Sequence, residues 1–260
     1  MTVRIVSWNI NSITARADRL AAWIEANTPD VVCLQELKTT TEAFPAQRFN
    51  DAGYAVAAHG QGRWNGVAIL SRVGLDHIQR DLTDQPAFNN ATEARAIAAT
   101  CNGVRIWSVY VPNGRDITDP HYEYKLNFLG ALAAEAANRD DSSPYAITGD
   151  FNVCPTDDDI YDIDAWEGTT HTTDAERAAL NELQETNLTE VYPRALKYDQ
   201  PFTFWDYRNL DFPKNRGLRI DLLLANPSLM THVTDAYVDR NERKGKGASD
   251  HAPLVVDTNL

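Results

Sequence analysis

The chain has 260 residues, of which 43% are hydrophobic, with six Trp and a formal net charge of −13. That length and composition fit one globular α/β domain over residues 1–260 and exclude a disordered chain. So acidic a protein is excluded as a simple coat for nucleic acid, because neutralising phosphates supplies most of that affinity, whereas an enzyme is still allowed if a metal ion and a local cationic rim offset the carboxylates its chemistry demands. No run of about 18 apolar residues offers a bilayer span, and the opening MTVRIVSWNI reads as a strand rather than a leader, so a cytoplasmic location with no membrane partner is expected. Cys33, Cys101 and Cys154 are far apart and match no metal-knuckle spacing; two of them sit in apolar strand-like runs that read as buried thiols, and a disulfide framework is not expected.

Residues 3–8 alternate and are rich in β-branched side chains, predicting a strand with polar groups of Ser7-Trp8-Asn9-Ile10-Asn11 at its end. A helix over 16–26 follows, with Leu20, Trp23 and Ile24 on one face; Pro29-Asp30 breaks it, and 31–34 read as a buried strand delivering Gln35-Glu36. Strand, helix, strand places two neighbouring strands with their polar ends at one edge, and so Asn9 beside Glu36. Residues 54–58 and 67–71 predict a strand pair joined by the glycine-rich GQGRWNG. Residues 95–101 and 104–111 predict a hairpin, because the intervening Asn102-Gly103 suits a tight primed turn. That hairpin runs into Tyr110-Val111-Pro112-Asn113-Gly114, and a helix over 122–138 leads on to the central stretch YAITGDFNVCPT.

In that stretch, 145–148 read as a short buried strand and Gly149 as a turn, after which Asp150 and Asn152 point one way and Phe151 the other. A carboxylate can take a proton from water while a carboxamide two residues on holds the water or a phosphoryl oxygen. The acidic run 157–164 (DDDIYDID) reads as a solvated loop with no catalytic part. The second half continues with a helix over 175–185, an aromatic stretch at 202–205, a buried strand over 218–225 carrying Arg219 and Asp221, and Ser249-Asp250-His251-Ala252-Pro253 entering a last strand at 254–257.

Taken singly, each of these polar residues is better explained as a turn, a strand aromatic or an ion-pair partner. Together, Asn9, Glu36, Tyr110, Asp150, Asn152, Asp221, Asp250 and His251 fall at strand ends throughout one chain, which independent accident does not readily produce. They are hard oxygen donors plus one imidazole, a set that favours Mg²⁺, Mn²⁺ or Ca²⁺ over zinc.

The ordered motifs Ser7-Trp8-Asn9-Ile10-Asn11, Leu34-Gln35-Glu36, Tyr110-Val111-Pro112-Asn113-Gly114, Gly149-Asp150-Phe151-Asn152, Asn215-Arg216-Gly217-Leu218-Arg219-Ile220-Asp221 and Ser249-Asp250-His251-Ala252-Pro253 closely resemble the endonuclease/exonuclease/phosphatase superfamily. Within it they are most similar to the exodeoxyribonuclease III type of apurinic/apyrimidinic (AP) endonucleases. The resemblance implies a four-layered α/β sandwich: two mixed β-sheets packed face to face with helices outside, and a divalent-metal site at one edge. It implies Mg²⁺, with Mn²⁺ as a substitute, held by Glu36 with Asn9 and Asp250 nearby and Asp150 and Asn152 at hand. It also implies catalytic parts for Tyr110, Asp150, Asn152 and the Asp221–His251 dyad, the carboxylate fixing the imidazole and keeping it charged beside a phosphoryl oxygen.

The implied partner is double-stranded DNA with an abasic site or a blocked 3′ end, cut 5′ to the lesion, with 3′→5′ exonuclease and 3′-phosphatase activity as outcomes of the same site. An extruded abasic sugar would enter a small apolar slot lined by the aromatic stretch, with Phe204 and Trp205 both open as its wall. Asn11, Arg63, Trp64, Asn113, Arg115, Arg216, Arg219, Lys244 and Lys246 are the expected substrate contacts, on a protein expected to act as a monomer. Two alternatives stand beside this reading: a phosphatase or phosphodiesterase of the same fold acting on RNA, lipid or inositol phosphate, and a catalytically silent nucleic-acid-binding module.

Overall fold

The computed structural model describes residues 2–260. In chain order the elements are β1 (Val3–Asn9), α1 (Ile13–Asn27), β2 (Val31–Gln35), α2 (Ala46–Asn50), β3 (Ala55–His59), β4 (Val67–Ser71), β5 (Asp76–Arg80), β6 (Ala96–Cys101), β7 (Val104–Tyr110), α3 (Pro120–Ala137), β8 (Tyr145–Asp150), α4 (Asp174–Glu185), β9 (Thr189–Glu190), α5 (Asp211–Lys214), β10 (Asp221–Ala225), α6 (Pro227–Met230), β11 (Val233–Val238) and β12 (Leu254–Thr258). They form two six-stranded sheets, ordered β11-β12-β1-β2-β4-β3 and β5-β6-β7-β8-β10-β9. Each sheet is mixed: β1 and β2 are parallel in the first, β7 and β8 in the second, and the other named pairings are antiparallel.

The layering follows from alternation along single strands. On β1, Val3 and Ile5 join a core that also holds Ile97, Ile106 and Leu223 of the other sheet. Val6 and Trp8 turn the opposite way, onto Leu20, Trp23 and Ile24 of α1. On the second sheet Trp107, Val109 and Ile147 pack under Phe128, Leu129 and Leu132 of α3 and Leu180 and Leu183 of α4. Two sheets face to face with helices outside is the four-layered α/β sandwich that the motifs implied.

Local chemistry sets the boundaries. Ser12 caps α1 by accepting from the Ala15 amide, Asp119 caps α3 ahead of Pro120, and Thr173 with Glu176 closes a capping box on α4. The caps carry all three helices a little further toward their N-termini than apolar periodicity alone predicts. Strands β5 and β11 went unpredicted because both are sheet-edge strands with largely exposed or half-buried side chains and no clean apolar alternation.

Three expectations are corrected. Residues 218–220 do not begin β10; Phe204 instead bridges Leu218 and His251, and Thr203 Oγ1 accepts from the Ile220 and Asp221 amides at 3.1 Å each. The acidic run is not simply solvated, since residues Asp157–Asp159 form a 3₁₀ turn that buries Asp159 against Arg219. Gly149 is not a turn: β8 continues through it to Asp150, with Gly149 opposite Val109.

A Cβ at position 149 would lie 1.9 Å from the Val109 carbonyl oxygen, and the backbone there has φ +153°. Only glycine lets β8 run on and carry Asp150 to the sheet edge. Gly149→Ala is expected to cost at least about 2 kcal/mol, since a backbone-to-Cβ clash in a central strand cannot relax locally. Urea denaturation measures this, and an unchanged midpoint would contradict it.

Candidate active site

The parallel pairs in the two sheets deliver their C-terminal ends to one edge. Asn9 ends β1 opposite Gln35 with Glu36 next along the chain, and Tyr110 ends β7 opposite Asp150, which ends β8. Antiparallel β10 starts there, so Asp221 sits opposite Asp150. His251 enters from the segment leading into β12, which pairs with β1. Asn9 ties the two sheets together: its Nδ2 donates to Glu36 Oε1 at 3.0 Å and to Asp150 Oδ2 at 2.9 Å.

His251 Nδ1 lies 2.7 Å from Asp221 Oδ2, and its Nε2 is 3.7 Å from Asp150 Oδ2. All three residues are at most 3% exposed, which removes water as a charge screen. Burial disfavours the imidazolium, yet Asp221 and Asp150, by charge and hydrogen bond, outweigh it and raise the His251 pKa to about 10. Burial first, then the charges of Asp221 and Glu36, push Asp150 up to about 7 against the pull of His251 and the Asn9 hydrogen bond. For Glu36 burial is outweighed by Lys38 and Asn9, so its carboxylate is held below the usual range. Tyr110 is driven well upward by burial and by Glu36, so its phenol stays protonated as a donor.

Asn152 has φ +52° and is 4% exposed. Its Nδ2 donates to Val111 O at 3.0 Å, its Oδ1 accepts from Asn113 Nδ2 at 3.1 Å, and its amide donates to Asp150 Oδ1 at 2.9 Å. Asn11 spans the entrance, donating to Asp250 Oδ1 at 2.9 Å and accepting from Lys38 Nζ at 2.6 Å.

Around this centre the expected contacts divide. Trp64, 74% exposed, shares a cleft with Tyr110, Asn113 and Arg115. A second cleft, of about 410 Å³, runs past Trp166, His171, Phe204, Arg216 and Leu218. The Phe204 ring stands 4.9 Å from the His251 ring, so an apolar wall adjoins the imidazole. Arg63, Lys244 and Lys246 are exposed. Trp205 is corrected: at 1% exposure it lies in the core between the sheets together with Phe202, while Phe204, held by an isolated bridge rather than a strand, is half-buried beside His251. Arg219 is also corrected, being 1% exposed with its guanidinium committed to Asp159 and Glu190 under the Tyr192 ring. It is thus unavailable to a phosphate.

Sequence reasoning passed over Lys38, whose Nζ is 2.7 Å from Glu36 Oε2; the signal was a cation two residues beyond a carboxylate at a buried strand end. It also passed over Lys125 and His171. Burial chiefly, with Lys125 nearby, lowers the His171 pKa to about 3, and its Nδ1 lies 2.5 Å from Asn152 O.

A model of the endonuclease/exonuclease/phosphatase family matches residues 6–251, enclosing every one of these groups. The chain belongs to that family. It is 32% identical to exodeoxyribonuclease III of Haemophilus influenzae over 98% of this chain and 99% of the relative. Among solved structures it is similar to the 3′ phosphatase NExo from Neisseria bound to product DNA hairpin (TM-score 0.93, 32% identity, 99% of this chain and 100% of that one). It is also similar to an AP endonuclease from Archaeoglobus fulgidus (TM-score 0.92, 30% identity, 99% and 100%).

The donor set of this family member suits a hard divalent cation. Glu36, Asp150 and His251 each present a ligating atom, all within 4.8 Å of one another. The Lys38 ammonium against Glu36 marks the same spot as one that selects positive charge. His251 completes the cluster in space but not in bonding, because an imidazolium has no lone pair to give. Asn9, expected among the ligands, gives its nitrogen to the two carboxylates and its oxygen to the Asn11 amide. Asp250, also expected there, is drawn to Asn11 and falls outside the three-group cluster.

Because the folded His251 pKa lies above the ordinary 6.5, the ion pair's contribution to stability is fully present below pH 6.5 and is lost as pH rises toward about 10. Asp221→Asn is expected to bring the His251 pKa down toward the ordinary range and to remove that alkaline loss of stability. Imidazole NMR titration of both proteins checks it; a pKa that stays raised in the variant would assign the effect elsewhere.

Proposed function

We propose that this protein is a Mg²⁺-dependent DNA-repair nuclease, accepting Mn²⁺ as a substitute, that hydrolyses phosphoesters of duplex DNA 5′ to abasic sites and at blocked 3′ ends. The observation that carries the reading is the meeting of Asn9, Glu36, Asp150, Asp221 and His251 at one edge, joined by hydrogen bonds and by the 3.7 Å approach of His251 Nε2 to Asp150 Oδ2, although Asn9 and His251 stand 242 positions apart in the chain. A binding module has no use for two buried carboxylates and a half-buried third around one imidazole, which cost stability unless they are compensated.

Glu36 and Asp150 are the carboxylates that would hold the cation, which when bound supplies charge neutralisation on a phosphoryl oxygen and lowers the pKa of water. The other parts fall to the chain. Asp150, pushed up to about 7 in the protein alone, is matched to proton transfer near neutrality. His251 stays charged through the same range and offers Nε2–H to a non-bridging oxygen, while Asp221 fixes the ring through Nδ1. The Tyr110 phenol donates to the same phosphate, and Asn152, itself held by Asn113 and Val111, orients Asp150 through its backbone amide. Phe204 beside His251 gives an abasic sugar an apolar wall next to the scissile bond, and Arg115 and Arg216 line the two clefts that the flanking strand would follow.

Removal of a 3′ phosphate is favoured as a second outcome of the same centre by the likeness to the Neisseria 3′ phosphatase, whose structure holds a product DNA hairpin. A terminal monoester presents the same phosphoryl oxygens to His251 and Tyr110 and asks less of the aromatic wall. RNA, lipid or inositol phosphates do not call for an apolar wall at this place.

The test is one set of incubations with Mg²⁺: a labelled duplex with a single abasic analogue, its intact twin, a 3′-phosphorylated duplex, and a phosphoinositide headgroup. Cleavage 5′ to the abasic site leaving a 3′-hydroxyl, loss of the 3′ phosphate, and abolition of both by a chelator are expected. Glu36→Gln should lower both rates by roughly 10²-fold or more. Activity on the headgroup alone, or rates indifferent to chelation, would overturn the assignment.

A further inference from the structure

Lys125, on α3, has no exposed surface at all, and neither does Glu176 on α4. Its ammonium donates to the Asn152 carbonyl at 2.6 Å, to Thr170 Oγ1 at 3.1 Å, to the Asn113 carbonyl at 3.3 Å and to the Glu176 carboxylate. One cation thus reaches the segment after β7, the segment after β8 and the segment before α4. The first two are chained to Asp150: Asn113 Nδ2 donates to Asn152 Oδ1, and the Asn152 amide donates to Asp150 Oδ1.

Asn152 is where a rigid support is most needed. A left-handed backbone costs a non-glycine residue about 1 kcal/mol, and here the carboxamide meets Asn113 and Val111 in the segment after β7. Two donors converge on its carbonyl, Lys125 Nζ and His171 Nδ1, and together they fix the plane of the peptide that follows. Without them the carbonyl would be free to rotate toward the commoner right-handed region, carrying the side chain away from Asn113 and Val111.

Stability does not explain the pair. Taking an ammonium and a carboxylate wholly out of water costs as much as their attraction returns, and an apolar pair of the same volume would serve α3–α4 packing as well. Glu176 would also remain satisfied without Lys125, since it accepts from Thr170 Oγ1, the His171 amide, and the amide and hydroxyl of Thr173. What an apolar pair could not do is donate to two backbone carbonyls at once.

We propose that Lys125 is a positioning residue of the nuclease centre: held by Glu176, it locks the Asn152 and Asn113 peptides so that the Asn152 amide keeps its geometry on Asp150 toward the scissile phosphate. The proposal rests on the nuclease reading of that centre. Lys125 touches neither Glu36 nor His251, so its part is confined to orientation on the Asp150 side.

Two variants test it. Lys125→Met removes the donor and leaves Glu176 its four remaining partners; Lys125→Met with Glu176→Gln removes both charges and reads the same quantity if the single variant folds poorly. In folded protein, kcat on the abasic duplex is expected to fall by about 10- to 100-fold, the size of effect an ångström-scale misplacement produces, with KM changed by less than about threefold. Hydrogen exchange at the Asn152 amide is expected to accelerate, while the melting temperature of the double variant stays within a few degrees of wild type. Lys125→Arg, which keeps the cation and its donors, should recover part of kcat. A double variant with wild-type kcat per folded molecule, or with unchanged exchange at Asn152, would overturn the proposal. The wild-type rate on the duplex separately judges the nuclease reading, so the two failures are told apart.

Discussion

Three carboxylates, the buried Asp150 and Asp221 and the half-buried Glu36, are crowded around one buried imidazole where solvent screens them poorly, and the rest of the site is arranged to make that tolerable. Two such charges cannot both persist in low dielectric without compensation. The chain compensates in three different ways. Asp221 is paired with a histidine that it keeps charged, Glu36 receives the ammonium of Lys38 and an amide of Asn9, and Asp150 is left the least compensated, with its pKa pushed up to about 7. Carboxylates of one chemical type set apart by their environments are the pattern expected where a fixed charge, a proton-transfer group and a cation-holder must coexist, Asp150 sharing in the last two roles in the proposed function.

The sandwich makes the crowding possible. A parallel pair within each sheet sends two strand ends to the same edge, and face-to-face packing brings the two edges together, so Asn9 of one sheet can donate to Asp150 of the other. Antiparallel neighbours add the starts of two more segments, with Asp221 and His251. The demands this places on the backbone are local and severe: Gly149 has no room for a Cβ, and Asn11, Glu36, Lys38 and Asn152 all take positive φ where strands end and the chain must turn polar groups inward. Strain of that kind persists only where surrounding contacts over-determine it.

How much of this the sequence discloses depends on whether a residue's surroundings are local. The meeting of Asn9 with Glu36 follows from strand, helix, strand order, whereas the four-layered sandwich was implied by the resemblance of the ordered motifs and is the fold observed. The Asp221–His251 pair came from motif resemblance and is present at 2.7 Å. Arg219 and Trp205 were misjudged as substrate contacts because their partners, Asp159 and Glu190 for one and the inter-sheet core for the other, are distant in sequence. Asp159 was dismissed within an acidic run for the same reason. Lys125 gave no signal at all: in a helix whose exposed face carries charges, one more lysine is unremarked until Glu176 is seen to cover it.

The same accounting resolves the net charge of −13. Many of the cations that composition counts toward a DNA-binding rim are spent inside the fold: Lys125, Arg95, Arg219 and Arg243 are each at most 8% exposed, and Arg240 lies against Phe212, its guanidinium 4.0 Å from the ring centroid. The cations left at the clefts are few, chiefly Arg115 and Arg216, with Arg63, Lys244 and Lys246 exposed on loops. If these are its phosphate contacts, as the proposed function has it, affinity for DNA would depend only shallowly on salt, because few counterions would be released. On the nuclease reading proposed above, discrimination would then arise where charge is not the currency, at the Phe204 wall beside His251, and an acidic protein of this build would find its substrate by the shape of a lesion or a strand end rather than by general attraction to the duplex.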